Sequence, residues 1–169
     1  QEAQISETDK AQITIPNLAK DLLEEVAFAA RDSEYVDAKS GVSARLTISA
    51  MENLIAAAKL RLIESEAENT TVRLLDFISI IPSITGKIEL VYEGEQEGAD
   101  HVAKILIDQA VMTQFDQIFP RIPKLEKESI KTPYTDIIKW FNKNSLELNY
   151  DDTDEDFYTK LNNITPLTD

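Results

Sequence analysis

The stretch that decides the fold is GVSARLTISAMENLIAAAKLRLIES, residues 41–65. From residue 51 on, its apolar side chains recur every three or four positions, as they do along one face of an α-helix. The members of this apolar stripe are Met51, Leu54, Ile55, Ala58 and Leu62. The spacing predicts a helix over residues 45–65, entered through a turn at Gly41. Such a helix needs other apolar surfaces to pack against, so it favours a helical bundle.

Three other long or well-marked segments also show helical spacing. We predict helices over residues 16–31, 100–119 and 133–141, and a short last helix over 154–161 with Thr153 as its N-terminal cap. The inward residues expected for the second of these are Val102, Ile105, Leu106, Ala110, Phe115 and Ile118. Pro133 opens the third. The chain is therefore predicted to be all-α.

The connecting segments are less regular. The apolar run at 72–81 is expected to stop at Pro82. Residues 84–92 are compatible with a short strand or with a helical turn, and 93–98 form an acidic joint. Residues 121–131 are the only locally basic part of the chain. The predicted organisation is a polar arm or linker at 1–12, a helical domain at 13–92 and a C-terminal helical extension at 93–169.

Composition narrows the classes of partner. A net charge of −14 disfavours nucleic acid and anionic membranes, because phosphate-rich surfaces are usually bound by basic stripes. The absence of cysteine excludes disulfides and thiolate chemistry and fits the reducing cytoplasm. No apolar run approaches the ~20 residues of a membrane-spanning helix. The chain starts inside a polar arm without Met, which suggests a piece of a longer protein.

Arg45 is the candidate functional residue. It follows a small, flexible turn, opens the predicted helix, and lies about a quarter turn away from the apolar stripe, on the side of Ser49 and Glu52. An arginine keeps its charge at any workable pH and offers a planar set of donors that suits phosphate. The alternative is a surface arginine that pairs with Glu52 or another nearby acid.

Other candidate chemistry is weaker. Gly86-Lys87 superficially resembles the end of a P-loop, but Ile81 and Ile88 replace residues that the loop requires. With one histidine and no nucleophile motif, catalysis by the chain itself is not expected. A remaining alternative is an acidic metal-binding module, with oxygen ligands for a hard cation. Its candidate ligands are Glu93, Glu95, Glu97, Asp100 and His101.

Three runs resemble a known family. They are SGVSARLTISAMENL at 40–54, ITGKIELVYEGEQEG at 84–98 and DLLEEVA at 21–27. The first is similar to the sensor-2 region of bacterial AAA+ ATPases of the magnesium-chelatase I-subunit-like group, and the other two are similar to the same group. The resemblance is strong over residues 15–119, and the remaining tail looks like that group's C-terminal helical extension.

The resemblance implies a fold and a role. The chain would be the AAA+ helical lid-type bundle with its C-terminal extension. ATP and Mg²⁺ would be held mainly by a separate Walker-motif domain. By position Arg45 would be the sensor-2 arginine, which contacts the terminal phosphate in the same subunit or in a neighbouring one. The expected partners are that Walker-motif domain, neighbouring subunits of a homo-oligomeric ring and a von Willebrand-type protein. A porphyrin substrate does not follow from these residues.

We therefore expect part of an ATPase that couples ATP hydrolysis to subunit motion and contains no catalytic residue of its own. The alternative from another class is a helical protein-interaction adaptor with no nucleotide role.

Overall fold

The computed structural model describes residues 5–43, 45–119 and 134–167, and it is mostly helical, with 67% helix and a two-stranded parallel sheet. Within these ranges the chain forms eight α-helices and two strands. In order they are α1 (Glu7–Gln12), β1 (Ile13–Thr14), α2 (Asn17–Asp32), α3 (Arg45–Glu64), β2 (Thr70–Thr71), α4 (Ile81–Thr85), α5 (Tyr92–Glu97), α6 (Ala99–Ile118), α7 (Thr135–Phe141) and α8 (Asp154–Asn162). Two 3-10 helices, Leu74–Ile80 and Thr165–Leu167, complete the described elements.

The hydrophobic core lies between α2, α3 and α6. Each helix places one apolar stripe in it, and the fully buried members include Val26, Ala30, Leu46, Ala50, Leu54, Val102 and Leu106. The helices predicted over 16–31, 45–65 and 100–119 are confirmed to within one residue at each end. The core runs across residue 92, where the sequence predicts a domain boundary. That division remains a prediction.

The small sheet corrects the prediction of an all-α chain. β1 and β2 pair in parallel, with Ile13 opposite Thr70 and Thr14 opposite Thr71. The ladder continues through the N–H of Val72, which donates to the carbonyl oxygen of Thr14 at 2.9 Å. Two-residue strands are too short to show an alternating pattern. The paired residues Ile13 and Thr70 lie 57 positions apart in the sequence, so no local pattern predicts their contact.

The prediction that Pro82 stops the preceding segment is wrong. Residues 74–80 form a 3-10 helix, and α4 begins at Ile81 with Pro82 in its first turn. Proline is tolerated there because the first N–H groups of a helix have no partner within the helix. Pro82 therefore helps to start a helix instead of ending one.

Residues 84–98 divide between two kinds of structure. Leu90 makes an isolated antiparallel bridge with Val36. Of the two possibilities for residues 84–92, a strand or a helical turn, this part of the segment pairs as a strand does. The predicted acidic joint is helix α5, and its buried Gly94 lies against the backbone of Tyr35. An ideal Cβ on Gly94 would lie 2.5 Å from the carbonyl oxygen of Tyr35, so this contact requires glycine.

The end of α6 differs from its prediction. Phe115 and Ile118 were expected to point inward, but they are 42% and 54% exposed. The buried residues of α6 end at Ala110, so its last two turns extend beyond the shared core. The basic run 121–131 and Pro133 lie outside the described residues.

The C-terminal helices behave largely as predicted. α7 starts at Thr135, and α8 covers Asp154–Asn162. The Thr153 cap is confirmed, because its Oγ1 accepts the N–H of Asp156 at 3.1 Å. None of the helices in the described ranges is long and apolar enough to cross a bilayer.

Candidate functional site

The loop before α3 is held by the carboxylates of Asp37 and Glu89, and the hydroxyl of Ser40 contacts both. Asp37 accepts the N–H of Lys39 at 2.9 Å and the hydroxyl of Ser40 at 3.1 Å. Gly41 follows with φ +67°, a left-handed conformation that glycine adopts without a steric penalty. The sequence prediction of a turn at Gly41 is thus confirmed. The turn directs the chain into α3.

Arg45 is the first residue of α3, and its side chain is exposed. Its N–H donates to the Oγ of Ser43 at 3.2 Å, and the next residue, Leu46, is completely buried. Its guanidinium has no hydrogen bond or ion pair with any residue that the structure describes, and the alternative pairing with Glu52 does not form. A fixed positive charge therefore faces solvent at the positive end of a helix dipole. This arrangement can attract an anion.

The acidic cluster around α5 does not assemble as a metal centre. In the described parts of the chain, no three His, Asp or Glu side chains are placed to hold a metal ion. His101 Nε2 lies 3.8 Å from Glu97 Oε2, one helical turn away, and both side chains are more than half exposed. The structure gives the metal-module alternative no support.

A buried ion pair joins α3 to the 3-10 helix Leu74–Ile80. Arg61 and Asp76 are each 1% exposed and are joined by two parallel hydrogen bonds, of which Nη2 to Oδ2 measures 3.1 Å. Arg61 Nη2 also donates to the carbonyl oxygen of Thr71 at 2.7 Å, and Nε to Thr70 Oγ1 at 3.3 Å. The pair connects α3, β2 and the 3-10 helix Leu74–Ile80.

A second buried arginine extends this network to α8. Arg73 Nη2 donates to Asp154 Oδ1 at 2.7 Å, and its own N–H donates to Asp76 Oδ2 at 2.7 Å. The guanidinium lies 4.3 Å from the centre of the Phe157 ring, while its Nη1 is buried without a hydrogen-bond partner. The aromatic face compensates in part for that missing bond. Arg73 therefore anchors α8 to the helical core.

Three titratable groups near α8 are perturbed. Burial raises the pKa of Asp154, but hydrogen bonds from Arg73 and Thr71 outweigh it and leave that pKa below its usual value. Burial also raises the pKa of Asp152, but the hydrogen bonds from Lys160 outweigh it, so this pKa too lies below its usual value. The Nζ of Lys160 lies 2.6 Å from both carboxylate oxygens. Burial raises the pKa of Tyr150, helped by the charge of Asp76. Tyr150 donates to the carbonyl oxygen of Ala57 at 2.7 Å.

Sequence reasoning did not find this network, although two signals point to it. Arg61 follows Leu54 and Ala58 at helical spacing on the buried face of α3. Asp76 interrupts an apolar run of the 3-10 helix. A charged residue at each of two core positions requires a partner, because an unpaired buried charge is strongly destabilising.

An apolar groove, here called the α2/α6 groove, lies between α2, the Val72–Phe77 region and the exposed end of α6. It encloses about 210 Å³. Its residues are Pro16, Leu18, Ala19, Leu22, Val72, Arg73, Leu74, Phe77, Val111, Gln114, Phe115, Ile118 and Phe119. Only Arg73 and Gln114 among these carry polar side chains.

No protein-family model, curated protein or solved structure matches this chain. Its residues and their geometry are therefore the basis for assigning a function.

Proposed function

We propose that this chain is the helical lid and C-terminal extension of an AAA+ ATPase resembling the magnesium-chelatase I-subunit group. In this proposal it couples ATP hydrolysis to subunit motion in an oligomeric ring, and Arg45 senses the terminal phosphate. The observation that supports it most is the exposed guanidinium of Arg45, which starts α3 and has no partner among the described residues.

The environment of Arg45 suits a phosphate. A guanidinium that already held a carboxylate would have to lose that partner before it could bind another anion. Arg45 carries no such cost within the described chain, and its planar donors fit two phosphate oxygens at once. The N-terminus of α3 adds a favourable dipole.

Arg45 is also well placed to transmit motion. Its neighbour Leu46 is fully buried, and Ala50 and Leu54 continue the same buried stripe along α3. A pull on the guanidinium would therefore act on a helix that is packed into the core. Such a connection between phosphate contact and rigid-body movement is what a nucleotide-sensing lid requires.

The remaining parts of the site belong to partners in this proposal. A Walker-motif domain would hold ATP and Mg²⁺, because one arginine leaves both largely unheld. Neighbouring subunits would complete the ring, with a von Willebrand-type protein as a further partner. The chain contributes one cation and a helical body that moves with it.

The test is ATP hydrolysis by the ATPase that carries this chain together with its Walker-motif domain. We expect Arg45→Ala to lower kcat at least about tenfold, as loss of a donor to transition-state charge does, and Arg45→Lys to retain part of the activity. The matched control is Arg31→Ala, an exposed arginine in the last turn of α2 whose guanidinium lies 5.5 Å from the Phe28 ring. Unchanged hydrolysis in Arg45→Ala would contradict the sensor role.

The second candidate is a helical protein-interaction adaptor with no nucleotide role. The α2/α6 groove favours it, because exposed apolar grooves of this kind bind other chains. The two candidates differ in what the full polypeptide contains. The ATPase proposal requires a Walker A loop, G-x-x-x-x-G-K-[ST], in the same protein, and an adaptor does not.

A further inference from the structure

We propose that Thr70, Thr71 and Arg73, here called the Thr-Arg cradle, form a phosphate-binding site that Asp154 of α8 closes. In this proposal α8 is an internal latch. A phosphate group replaces the Asp154 carboxylate in the cradle and releases α8 from the helical core. The site is separate from Arg45 and does not depend on the proposed ATPase role.

The Thr-Arg cradle directs several hydrogen-bond donors at one carboxylate. Arg73 Nη2 donates to Asp154 Oδ1 at 2.7 Å, and Thr70 Oγ1 donates to the same oxygen at 3.2 Å. The Thr70 hydroxyl accepts from Arg61 Nε at 3.3 Å, which leaves its own hydrogen for the carboxylate. Thr71 adds hydrogen-bonding groups from its side chain and its backbone. A guanidinium with neighbouring hydroxyls and N–H groups is a donor set that also binds phosphate oxygens.

Asp154 does not use all of these donors. Its Oδ1 accepts from both Arg73 Nη2 and Thr70, while Arg73 Nη1 is buried with no hydrogen-bond partner among the described residues. The Arg73 side chain is only 4% exposed, so solvent does not supply the missing bond. An arginine can give two parallel hydrogen bonds to a phosphate. The oxygens of a phosphate can therefore engage both Nη atoms and the hydroxyls together.

Room for a larger anion lies beside the cradle. Thr71, Arg73 and Asp154 all line one cavity of about 180 Å³. Its other walls are Pro16, Val72, Leu74, Phe157 and Tyr158. Because Phe157 and Tyr158 belong to α8, the cavity opens further when α8 moves away.

The C-terminal segment that carries Asp154 buries little apolar surface. Neither α7 nor α8 has a buried side chain, and the buried residues described within 134–167 are Asp152 and Ile164. Ile164 is not part of the core formed by α2, α3 and α6. The closest packing of α7 and α8 is with the 3-10 helix Thr165–Leu167. Segments with few buried apolar contacts open locally at a small part of the free energy of global unfolding.

Opening of α8 also changes the charge at the cradle. When Asp154 leaves, the buried network keeps the guanidiniums of Arg61 and Arg73 and the carboxylate of Asp76, a net charge of +1 (two minus one). A buried guanidinium without its anion is strongly destabilising, so Arg73 then favours another oxyanion. This nearby charge outweighs the −14 of the whole chain, because salt screens the more distant exposed charges.

The first test is isothermal titration calorimetry of the full chain with inorganic phosphate at pH 7 and constant ionic strength. Asp154→Asn removes the competing charge, and we expect its Kd for phosphate to be at least about tenfold lower than that of the unchanged chain. Glu155→Gln is the matched control, because it removes one negative charge from an exposed position of the same helix. Its Kd should stay within about twofold of that of the unchanged chain.

Second substitutions in the Asp154→Asn chain locate the site. Thr70→Val removes one hydroxyl and Arg73→Gln removes the charge, and each should raise the Kd for phosphate at least about fivefold. Arg45→Ala in the same chain should leave this Kd within about twofold. Circular dichroism checks that each variant is folded. Thr70→Val still tests the site if Arg73→Gln does not fold.

Hydrogen exchange tests the latch itself. Phosphate that binds only the open form raises the population of that form, so it should speed amide exchange in α8 of the unchanged chain and leave exchange in α3 unchanged. Sodium chloride at the same ionic strength is the control, because salt alone screens the pair of Arg73 with Asp154.

Three results would overturn the proposal. They are phosphate binding by Asp154→Asn that is no tighter than by Glu155→Gln, loss of that binding on Arg45→Ala, and equal exchange of α8 in phosphate and in chloride. The second result would place the phosphate at the start of α3. A failure of the latch is therefore distinct from a failure of the ATPase role.

Discussion

Arg61 and Asp76 form a two-pronged ion pair inside the helical core, with both side chains about 99% withdrawn from solvent. Removing two charges from water is costly, and the additional bonds from Arg61 to Thr71 and from Arg73 to Asp76 offset part of that cost. The pair specifies how the 3-10 helix Leu74–Ile80 sits on α3.

Breaking this pair should be strongly destabilising. We predict that Arg61→Met lowers the free energy of unfolding by about 3–5 kcal/mol, because it leaves Asp76 charged and buried. The double variant Arg61→Met/Asp76→Leu should recover part of the loss, but the N–H of Arg73 then lacks its acceptor. Urea denaturation of the two single variants and the double variant measures the coupling. Additive losses would contradict a direct ion pair.

Arg45, in contrast, should contribute little to the stability of the fold. Its guanidinium is exposed and unpaired within the described chain, so Arg45→Ala should change the free energy of unfolding by less than about 0.5 kcal/mol. Urea denaturation next to Arg31→Ala checks this. A loss above about 2 kcal/mol would mean that Arg45 has a structural role, and a fall in hydrolysis could then no longer be read as loss of phosphate contact.

The anchoring of α8 should weaken in acid. The pKa of Asp154 in the folded chain lies below its ordinary value of 3.8, so its bond with Arg73 contributes stability that is complete above that pH. The contribution is lost as the pH falls through the lowered folded value. Asp152, whose pKa is also lowered, adds in the same direction.

Asp154→Asn tests this origin of acid sensitivity. We expect a loss of about 1–2 kcal/mol at pH 7, discounted for the partial exposure of Asp154, and a flatter pH dependence of unfolding below pH 4. Urea denaturation at several pH values, followed by the fluorescence of Trp140, the single tryptophan, provides the measurement. Glu155→Gln, at an exposed position on the same helix, is the control. An unchanged pH profile in Asp154→Asn would place the effect elsewhere.

Gly94 should not tolerate even one methyl group. The added Cβ would meet the carbonyl oxygen of Tyr35 at 2.5 Å and its Cβ at 3.2 Å. We predict that Gly94→Ala costs about 1–3 kcal/mol by overpacking. The exposed Glu95→Ala on the same helix should be nearly neutral, and thermal unfolding of both variants compares them. Equal melting temperatures would show that α5 can move away from Tyr35 at little cost.

The long helices were predictable because their apolar spacing is local. Leu22, Val26 and Ala30 in α2, like Leu54 and Ala58 in α3, identify their buried faces without any tertiary information. The exposed end of α6 was not predictable in the same way. Phe115 and Ile118 keep the periodicity, but the buried residues of α6 end at Ala110, and only the tertiary arrangement shows this.

The candidate sites show the same difference between local and tertiary information. Arg45 could be placed on the outer side of α3 from its angle to the apolar stripe, and its exposure agrees with that prediction. The Arg61–Asp76 and Arg73–Asp154 pairs join residues 15 and 81 positions apart. No local pattern connects such residues. The parallel pairing of β1 with β2 was missed for the same reason.

That small sheet also has a mechanical consequence. Thr70 and Thr71 receive β1 from the N-terminal side, and Thr70 Oγ1 lies 3.2 Å from Asp154 Oδ1 on the C-terminal side. Arg61 of α3 also donates to both threonines, so a substitution that breaks this junction would loosen the N-terminal strand, α3 and α8 together and not one of them alone.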